Sequence, residues 1–548
     1  MTSLDIDGVA RERFGLDHLH PDQREAIRAA VDGRDVLVVW ATGSGKSAVY
    51  QIAAALRPGI AVVVSPLIAL QADQVERLGE APDAPVGAVL NSTRGARATR
   101  DTWERVDAGE IEYLLLAPEQ LAKDDVVTRV AEAGVSLFVV DEAHCIAAWG
   151  HDFRPDYLVL GDAVERLGRP PVLALTATAS LPVRREIVER LGLRDPVILA
   201  GDVDRPNIDL AVRRHPEDAD KRAAVVDDVA GLPMPGLVYV ATRRSTQEYA
   251  ADLTARGLRV AAYHGGLPAK ERERVHERFH AGELDVVVAT SAFGIGIDKP
   301  DVRFVVHADV PDSVDAYYQE LGRAGRDGAA ARATLHYRPE DLALRTFFAT
   351  KHPDAPELRR VVGALAARGT VSRADLAAAA EVAPRRLTAL LSLLVDTAAA
   401  RIDRNGASWL GRDEKAAVAA ALQRSEDREH IDRSRVDMMR GYAETRRCRR
   451  HVLLGYFGQE LPEPCGHCDT CADGSAYAAQ AASVGGDEWQ VDEPVTHAEW
   501  GEGTVMAVEA DRITVFFESQ GYKTLARAVI SEHGLLRESF TGFTGVRP

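Results

Sequence analysis

The sequence predicts an α/β protein, two tandem parallel-sheet domains followed by smaller helical and β modules, and three observations predict it. Short apolar runs alternate with helical stretches from residue 20 to about residue 200. The same alternation starts again after residue 230. After His352-Pro353 it gives way to helical periodicity and then to strand-like runs. A chain of 548 residues has room for several cores, and 46% hydrophobic with 27% charged residues excludes a disordered or fibrous protein. Lys plus Arg total 66 against 83 Asp plus Glu, a net charge of −17 that, as a whole-molecule average, repels nucleic acid. No stretch reaches the roughly 18 apolar residues of a membrane span, and the N-terminus lacks the basic and apolar segments of a leader. A cytoplasmic protein with no membrane partner is expected.

In the first series, Asp35 to Val39, Ile60 to Val64, Tyr113 to Leu116, Leu137 to Val140 and Val172 to Leu175 are too short for helices and read as buried parallel strands. The second series, Gly236 to Val240, Val260 to Tyr263, Val286 to Ala289, Phe304 to His307 and Ala333 to His336, predicts a second sheet. The expected lobes span 1–201 and 202–348, with a cleft between them. Next, Pro356 opens a helix carrying Leu358, Val361, Val362 and Leu365, and Ser372 caps a second. Leu387, Leu390, Leu391 and Leu394 then follow the i, i+3, i+4, i+7 pattern. With a hairpin around Asn405-Gly406 these predict a winged-helix-like domain over 349–411, the alternative being a helical spacer. Residues 412–474 hold a cysteine cluster, 475–487 read as a flexible linker, and 488–548 as a small β-barrel.

Chemistry enters after the first strand. Trp40-Ala-Thr-Gly-Ser-Gly-Lys-Ser47 stands between an apolar run and a helical stretch, the context of a phosphate-binding loop, although Trp40 occupies the place of the pattern's first glycine. The backbone of Thr42, Gly43, Ser44 and Gly45 is expected to surround the phosphates of ATP, with Lys46 on the β- and γ-phosphates and Ser47 on magnesium. The strand Leu137 to Val140 then delivers Asp141, placed to hold magnesium, and Glu142, placed to polarise the attacking water. Gln319-Glu-Leu-Gly-Arg-Ala-Gly-Arg326 offers Arg323 and Arg326 to the transferring phosphoryl group.

Cys448, Cys465, Cys468 and Cys471 supply four soft ligands at spacings that suit a closed tetrahedral zinc site, with His467 a spectator and Cys145 a buried neighbour of the acidic motif. Residues 428–451 carry eight arginines against four acidic residues, a candidate phosphate-contacting stripe whose alternative is a helix laced with ion pairs.

Taken together, these motifs resemble the bacterial RecQ-family DNA helicases of superfamily 2. The run Asp141-Glu-Ala-His-Cys-Ile-Ala-Ala-Trp-Gly-His-Asp-Phe-Arg-Pro-Asp-Tyr157 is similar to that family's acidic motif and aromatic-rich loop. Ser65-Pro-Leu-Ile-Ala-Leu70, Thr176-Ala-Thr178, Tyr263-His-Gly-Gly-Leu267 and Ala289-Thr-Ser-Ala-Phe-Gly-Ile-Gly-Ile-Asp-Lys-Pro300 are similarly family-like. The resemblance implies two RecA-like lobes, with Gln23 reading the adenine edge, Gly296 and Asp298 at the nucleotide, and Arg326 as the finger supported by Arg323. It implies DNA contacts by Ser65, Pro66, Trp149, Phe153, Arg154 and Thr290. His20 stands where the family usually has Arg.

The implied activity is ATP-dependent 3′-to-5′ translocation on single-stranded DNA, with unwinding of tailed or forked duplex in recombination and repair, by a nucleoid-associated protein using ATP, Mg2+ and Zn2+. Two alternatives stay open: a DNA-dependent translocase with little strand separation, and a non-catalytic DNA-binding scaffold. The family usually places a winged helix after the zinc site, whereas here the candidate precedes it. The segment from Pro494 to Leu525 resembles the Tudor-like tail of superfamily 1 repair helicases, which implies a protein partner such as RNA polymerase.

Overall fold

The computed structural model describes residues 5–538 apart from 42, 67, 80, 84, 92–94, 148–153, 202, 295–298, 350–352, 404–405, 412, 460, 482–488 and 510. Strands β1 (Val36–Val39), β2 (Ile60–Val64), β3 (Gly87–Leu90), β4 (Tyr113–Leu116), β5 (Val135–Val140), β6 (Val172–Thr176) and β7 (Val197–Ala200) form one parallel sheet in the order β3-β4-β2-β5-β6-β1-β7. Its central strands are almost wholly apolar because both faces are covered. Alternate residues feed separate cores, Leu37, Val39 and Phe138 on one side and Val36, Val38 and Leu137 on the other.

The second lobe holds β8 (Ile208–Arg214), β9 (Gly236–Tyr239), β10 (Val260–Tyr263), β11 (Val286–Ala289), β12 (Phe304–His307) and β13 (Ala331–Tyr337), parallel in the order β10-β11-β9-β12-β13-β8. Consecutive strands β7 and β8 lie in different sheets, so the chain crosses between lobes over 201–207.

Helices Ala355–Arg368, Arg373–Ala380 and Pro384–Asp396 pack with a small antiparallel sheet of β14 (Thr370–Val371), β15 (Ala400–Asp403) and β16 (Gly406–Trp409). Leu358, Leu365, Leu376, Leu391 and Ala407 form their core. This module is keyed to lobe 1 by the Asp396 side chain, 1% exposed, which accepts from Arg190 at 3.1 Å, from Arg428 at 3.2 Å and from Arg424. Burial pushes the Asp396 carboxyl up, but these guanidinium bonds outweigh it and hold the group below the ordinary range.

The 31-residue helix Glu414–Glu444 leads to helix Arg449–Tyr456 and the cysteines. Residues 475–481, expected to begin a linker, instead form helix Ser475–Ala481. Beyond it, β17 (Pro494–His497), β18 (Gly501–Val508), β19 (Arg512–Phe517), β20 (Gly521–Ala526) and β21 (Leu536–Glu538) make an antiparallel sheet in the order β20-β19-β18-β17-β21. This sheet is seated in the body, since Met506, Phe516 and Tyr522 join the core that lobe 2 shares with the cysteine region. Gly521, at φ +70°, permits the approach: a Cβ there would lie 2.2 Å from Ser434 Oγ and 2.9 Å from Ile431 Cα.

The arginine stripe is corrected by the structure. Seven of its eight arginines pair with carboxylates, among them Arg447 with Glu509, Arg449 with Asp469 and Arg450 with Asp204. Arg428, Arg447 and Arg450 pair with carboxylates of other domains, while Arg433, Arg435 and Arg440 make local pairs along the helix, so most of this charge is matched by carboxylates. Among the described residues no helix is long and apolar enough to cross a membrane.

Candidate active site

The loop after β1 turns through Gly43 (φ +87°) and Gly45 (φ +78°) into helix Lys46–Ala55. Positive φ without a Cβ lets the backbone N–H groups face a common centre. Lys46 is half-buried, and its Nζ donates to Trp40 O at 2.9 Å and Ala41 O at 3.1 Å. Burial lowers its pKa, opposed by Glu142 and Asp141 and assisted by Arg326. Asp141 follows β5; burial raises its pKa against the attraction of Lys46 and the Glu142 N–H, which donates to Asp141 Oδ1 at 3.0 Å. Glu142 sits at φ 48°, a left-handed conformation that is strained for a residue with a side chain. Its Oε2 lies 3.4 Å from Nδ1 of buried His144.

Across the cleft, Arg326 closes on the phosphate loop. A Cβ built on Gly43 would lie 3.9 Å from Arg326 Cγ. Arg323 is buried inside lobe 2 beside Tyr239, placed to support its neighbour rather than to reach across. Lys46, Asp141, Glu142 and Arg326 thus come close together from two lobes.

Other expected residues are placed differently. Gln23 Oε1 accepts from His20 N at 2.8 Å and so caps its own helix, Pro21–Val31, while Nε2 donates to Ser44 O at 3.3 Å and Gly45 O at 3.2 Å and ties that helix to the phosphate loop. Ser65 is fully buried, which corrects its expected role as a direct strand contact. Its neighbour Pro66 offers a carbonyl to Arg154 Nη1 at 3.1 Å. Thr290 is half-buried just past β11. Thr42, Trp149, Phe153, Gly296 and Asp298 lie outside the described residues. Cys145 is buried, as expected, with Sγ 3.8 Å from His144 Nε2.

Sequence reasoning missed the crossing between lobes. Arg205 donates to Gly322 O at 3.0 Å, Ala324 O at 2.7 Å and Gly325 O at 2.9 Å, gathering the loop that carries Arg323 and Arg326. On the lobe 1 side Trp40 packs so closely on Gly201 that a Cβ there would meet it at 2.5 Å. Gln459, from the cysteine region, bonds Gly201 O at 2.7 Å and Val203 N at 3.1 Å. An arginine beside Pro206-Asn207 carries no charge-run or spacing signal, because its partners are carbonyls more than a hundred residues away. Arg205→Ala is expected to lower kcat about tenfold with KM for ATP nearly unchanged, since it frees the arginine loop without touching the phosphate loop; steady-state ATPase kinetics check this.

The Sγ atoms of Cys448, Cys465, Cys468 and Cys471 all lie within 4.8 Å of one another, with Cys465–Cys471 and Cys468–Cys448 at 3.9 Å, and the thiols are not joined in disulfides. Four thiolates about 2.3 Å from a central zinc ion form a tetrahedron with edges of about 3.8 Å, so the cluster fits that ion. Cys465 N donates to Cys448 Sγ at 3.3 Å, a contact suited to a thiolate. His467 is turned away, with Nδ1 2.9 Å from Asp209 Oδ1.

The fold and the site define a two-lobed phosphate-loop protein of the helicase type. The chain matches the families described as DEAD/DEAH box helicase over residues 20–187, helicase conserved C-terminal domain over 231–328, and RecQ zinc-binding over 403–472. Residues 491–531 match a family described as a protein of unknown function. The chain is 32% identical to the ATP-dependent DNA helicase RecQ of Haemophilus influenzae over 465 residues, 85% of this chain and 63% of that protein. It is 39% identical to the probable ATP-dependent DNA helicase RecS of Bacillus subtilis over 333 residues, 61% of this chain and 66% of that one. Among solved structures, the Mycobacterium smegmatis helicase Lhr bound to single-stranded DNA and AMP-PNP aligns with TM-score 0.51 at 20% identity, over 95% of this chain and 79% of that one, a likeness of fold. The chain belongs to the RecQ helicase family. It spans somewhat less than two thirds of the length of these RecQ and RecS relatives.

Proposed function

We propose that the protein is an ATP-dependent DNA helicase that moves 3′ to 5′ on single-stranded DNA and unwinds tailed or forked duplex in recombination and repair. The observation that carries this is the convergence of Lys46, Asp141 and Glu142 from lobe 1 with Arg326 from lobe 2. A site completed across a cleft makes hydrolysis depend on closure, and closure is what a strand bound across both lobes promotes. Gln23 and the backbone of 42–45 seat the nucleotide, with Gly296 and Asp298 approaching from lobe 2. Ser47 and Asp141 offer hard oxygen donors to magnesium, which when bound neutralises charge on the phosphate oxygens. Glu142 polarises the attacking water, and Arg326 stabilises the transferring phosphoryl group with Arg323 behind it.

The DNA track runs along the strand ends through Pro66, Arg154 and Thr290, with Trp149 and Phe153 stacking on bases. Zinc held by the four cysteines has a structural role, because the set is closed and leaves no position for water. A protein partner such as RNA polymerase would meet the outer face of the C-terminal sheet, its inner face being buried in the body. Association with the nucleoid follows from the DNA substrate.

The test is ATPase activity with and without single-stranded DNA. Strong stimulation supports the reading; a rate indifferent to DNA contradicts it. A second reading, a translocase with little strand separation, is favoured by one observation: the β15–β16 hairpin lies before the cysteine cluster in the chain. A catalytically silent scaffold is disfavoured by the assembled site.

A further inference from the structure

The C-terminal sheet, whose residues match a family of unknown function, makes contacts that reach the candidate catalytic carboxylate. His144 Nδ1 lies 2.9 Å from Thr176 Oγ1 as well as 3.4 Å from Glu142 Oε2. The Thr176 hydroxyl donates to Thr178 O at 3.0 Å, so its contact with His144 requires the imidazole to donate from Nδ1. Thr178 N returns a bond to Thr176 Oγ1 at 3.2 Å, which closes the loop on itself. Two residues on, fully buried Ser180 stands at the head of helix Leu181–Arg190 without a side-chain capping bond, and its Oγ accepts from the Tyr522 hydroxyl at 3.2 Å.

Tyr522 is fixed from the other side. Its N–H donates to Ser434 Oγ at 3.0 Å, and its ring packs against Phe516 and Tyr456, whose own hydroxyl bonds Asp315 of lobe 2 at 2.5 Å. The same lobe 1 helix is held along its length, with Arg185 bonded to Thr504 of the sheet and to Asp492 in the turn before it, and Arg184 Nη2 to Phe457 O at 2.9 Å. The sheet therefore joins the frame of lobe 2 to a loop of lobe 1 that touches His144.

We propose that the C-terminal sheet is a working part of the motor, with Tyr522 a positioning residue for DNA-stimulated hydrolysis. Its hydroxyl sets Ser180 and the Thr176–Ser180 loop, so that a change in the relation of the lobes reaches Glu142 through His144. This rests on the DNA-stimulated ATPase reading above.

The test compares the full chain with Tyr522→Phe, Ser180→Ala and the double variant, measuring ATP turnover with and without single-stranded oligodeoxythymidylate. Tyr522→Phe keeps the ring and its packing. The ratio of stimulated to unstimulated turnover does not depend on the fraction of active protein, so a purely structural role leaves it unmoved. Each single variant is expected to lower that ratio about threefold to tenfold, the factor that one hydrogen bond supplies, and the double no further. An unchanged ratio in Tyr522→Phe, or effects that multiply in the double, overturns the proposal. A native chain that DNA does not stimulate overturns the underlying reading, and that result is visible before any substitution is made.

Discussion

Replacing Lys46 with alanine is expected to lower ATP turnover about a hundredfold or more while DNA binding stays near the native level. The ammonium already lies in the mouth of the phosphate loop, held by Trp40 O and Ala41 O. Those two bonds are expected to be exchanged for phosphate oxygens when nucleotide enters, which would leave the charge in place before the reaction. Losing one preorganised charge at a transition state costs about 10² to 10³ in rate. Glu142→Gln is expected to fall as far by another route, because it keeps the shape and the strained backbone at φ 48° but cannot accept a proton from water. Steady-state turnover alongside DNA-binding titrations checks both, and undiminished hydrolysis in either variant contradicts the site assignment.

The second large effect is expected from removing zinc. Cys448, Cys468 and Cys471 belong to the apolar core that lobe 2 shares with helix Arg449–Tyr456 and with Met506, Phe516 and Tyr522 of the C-terminal sheet. Zinc contributes about 10 to 16 kcal/mol to isolated finger folds. Without it, four thiols packed at 3.9 to 4.8 Å lose their common ligand in the middle of that core. Chelation, or Cys468→Ala, is expected to unfold the cysteine region and release Gln459 from the inter-lobe crossing and the C-terminal sheet from its seat. Hydrogen exchange resolved along the chain reads this directly: protection is lost over 445–475 and 494–526 while strands β1 to β6 keep theirs. Unaltered exchange in the metal-free protein contradicts a structural zinc site.

How far each feature was legible in the sequence depended on where its determinants lie. Central strands were legible because burial on both faces makes them unbroken apolar runs. In the two parallel sheets the strands the sequence reading missed, β3, β7 and β8, all lie at sheet edges. β8 is interrupted by Asp209 and ends in exposed Arg213 and Arg214, so it offers no continuous apolar signal, whereas β7, Val197-Ile-Leu-Ala200, is an apolar run of only four residues whose exposure alternates. The catalytic loop and the acidic motif were legible because each is local, one turn following one strand.

What could not be read is what depends on distant partners. The arginine excess over 428–451 looked like a phosphate stripe because Asp204, Asp396, Asp469 and Glu509, which engage four of its members, are far off or outside the stretch counted. The seat of the C-terminal sheet was hidden for the same reason, since a small, polar segment over 475–487 reads as a tether whether or not the module beyond it is docked. The net charge of −17 proved equally uninformative about nucleic acid, because a sum over the whole chain says nothing about which face carries which sign.

The measurement that tests the central claim most directly is strand displacement from a 3′-tailed duplex, with ATP turnover followed in the same reaction. The account predicts ATP-dependent release of the paired strand from the 3′-tailed substrate, little release from its 5′-tailed counterpart, and none with Lys46→Ala. Hydrolysis stimulated by DNA with no strand released from either substrate would contradict it and leave a translocase in its place.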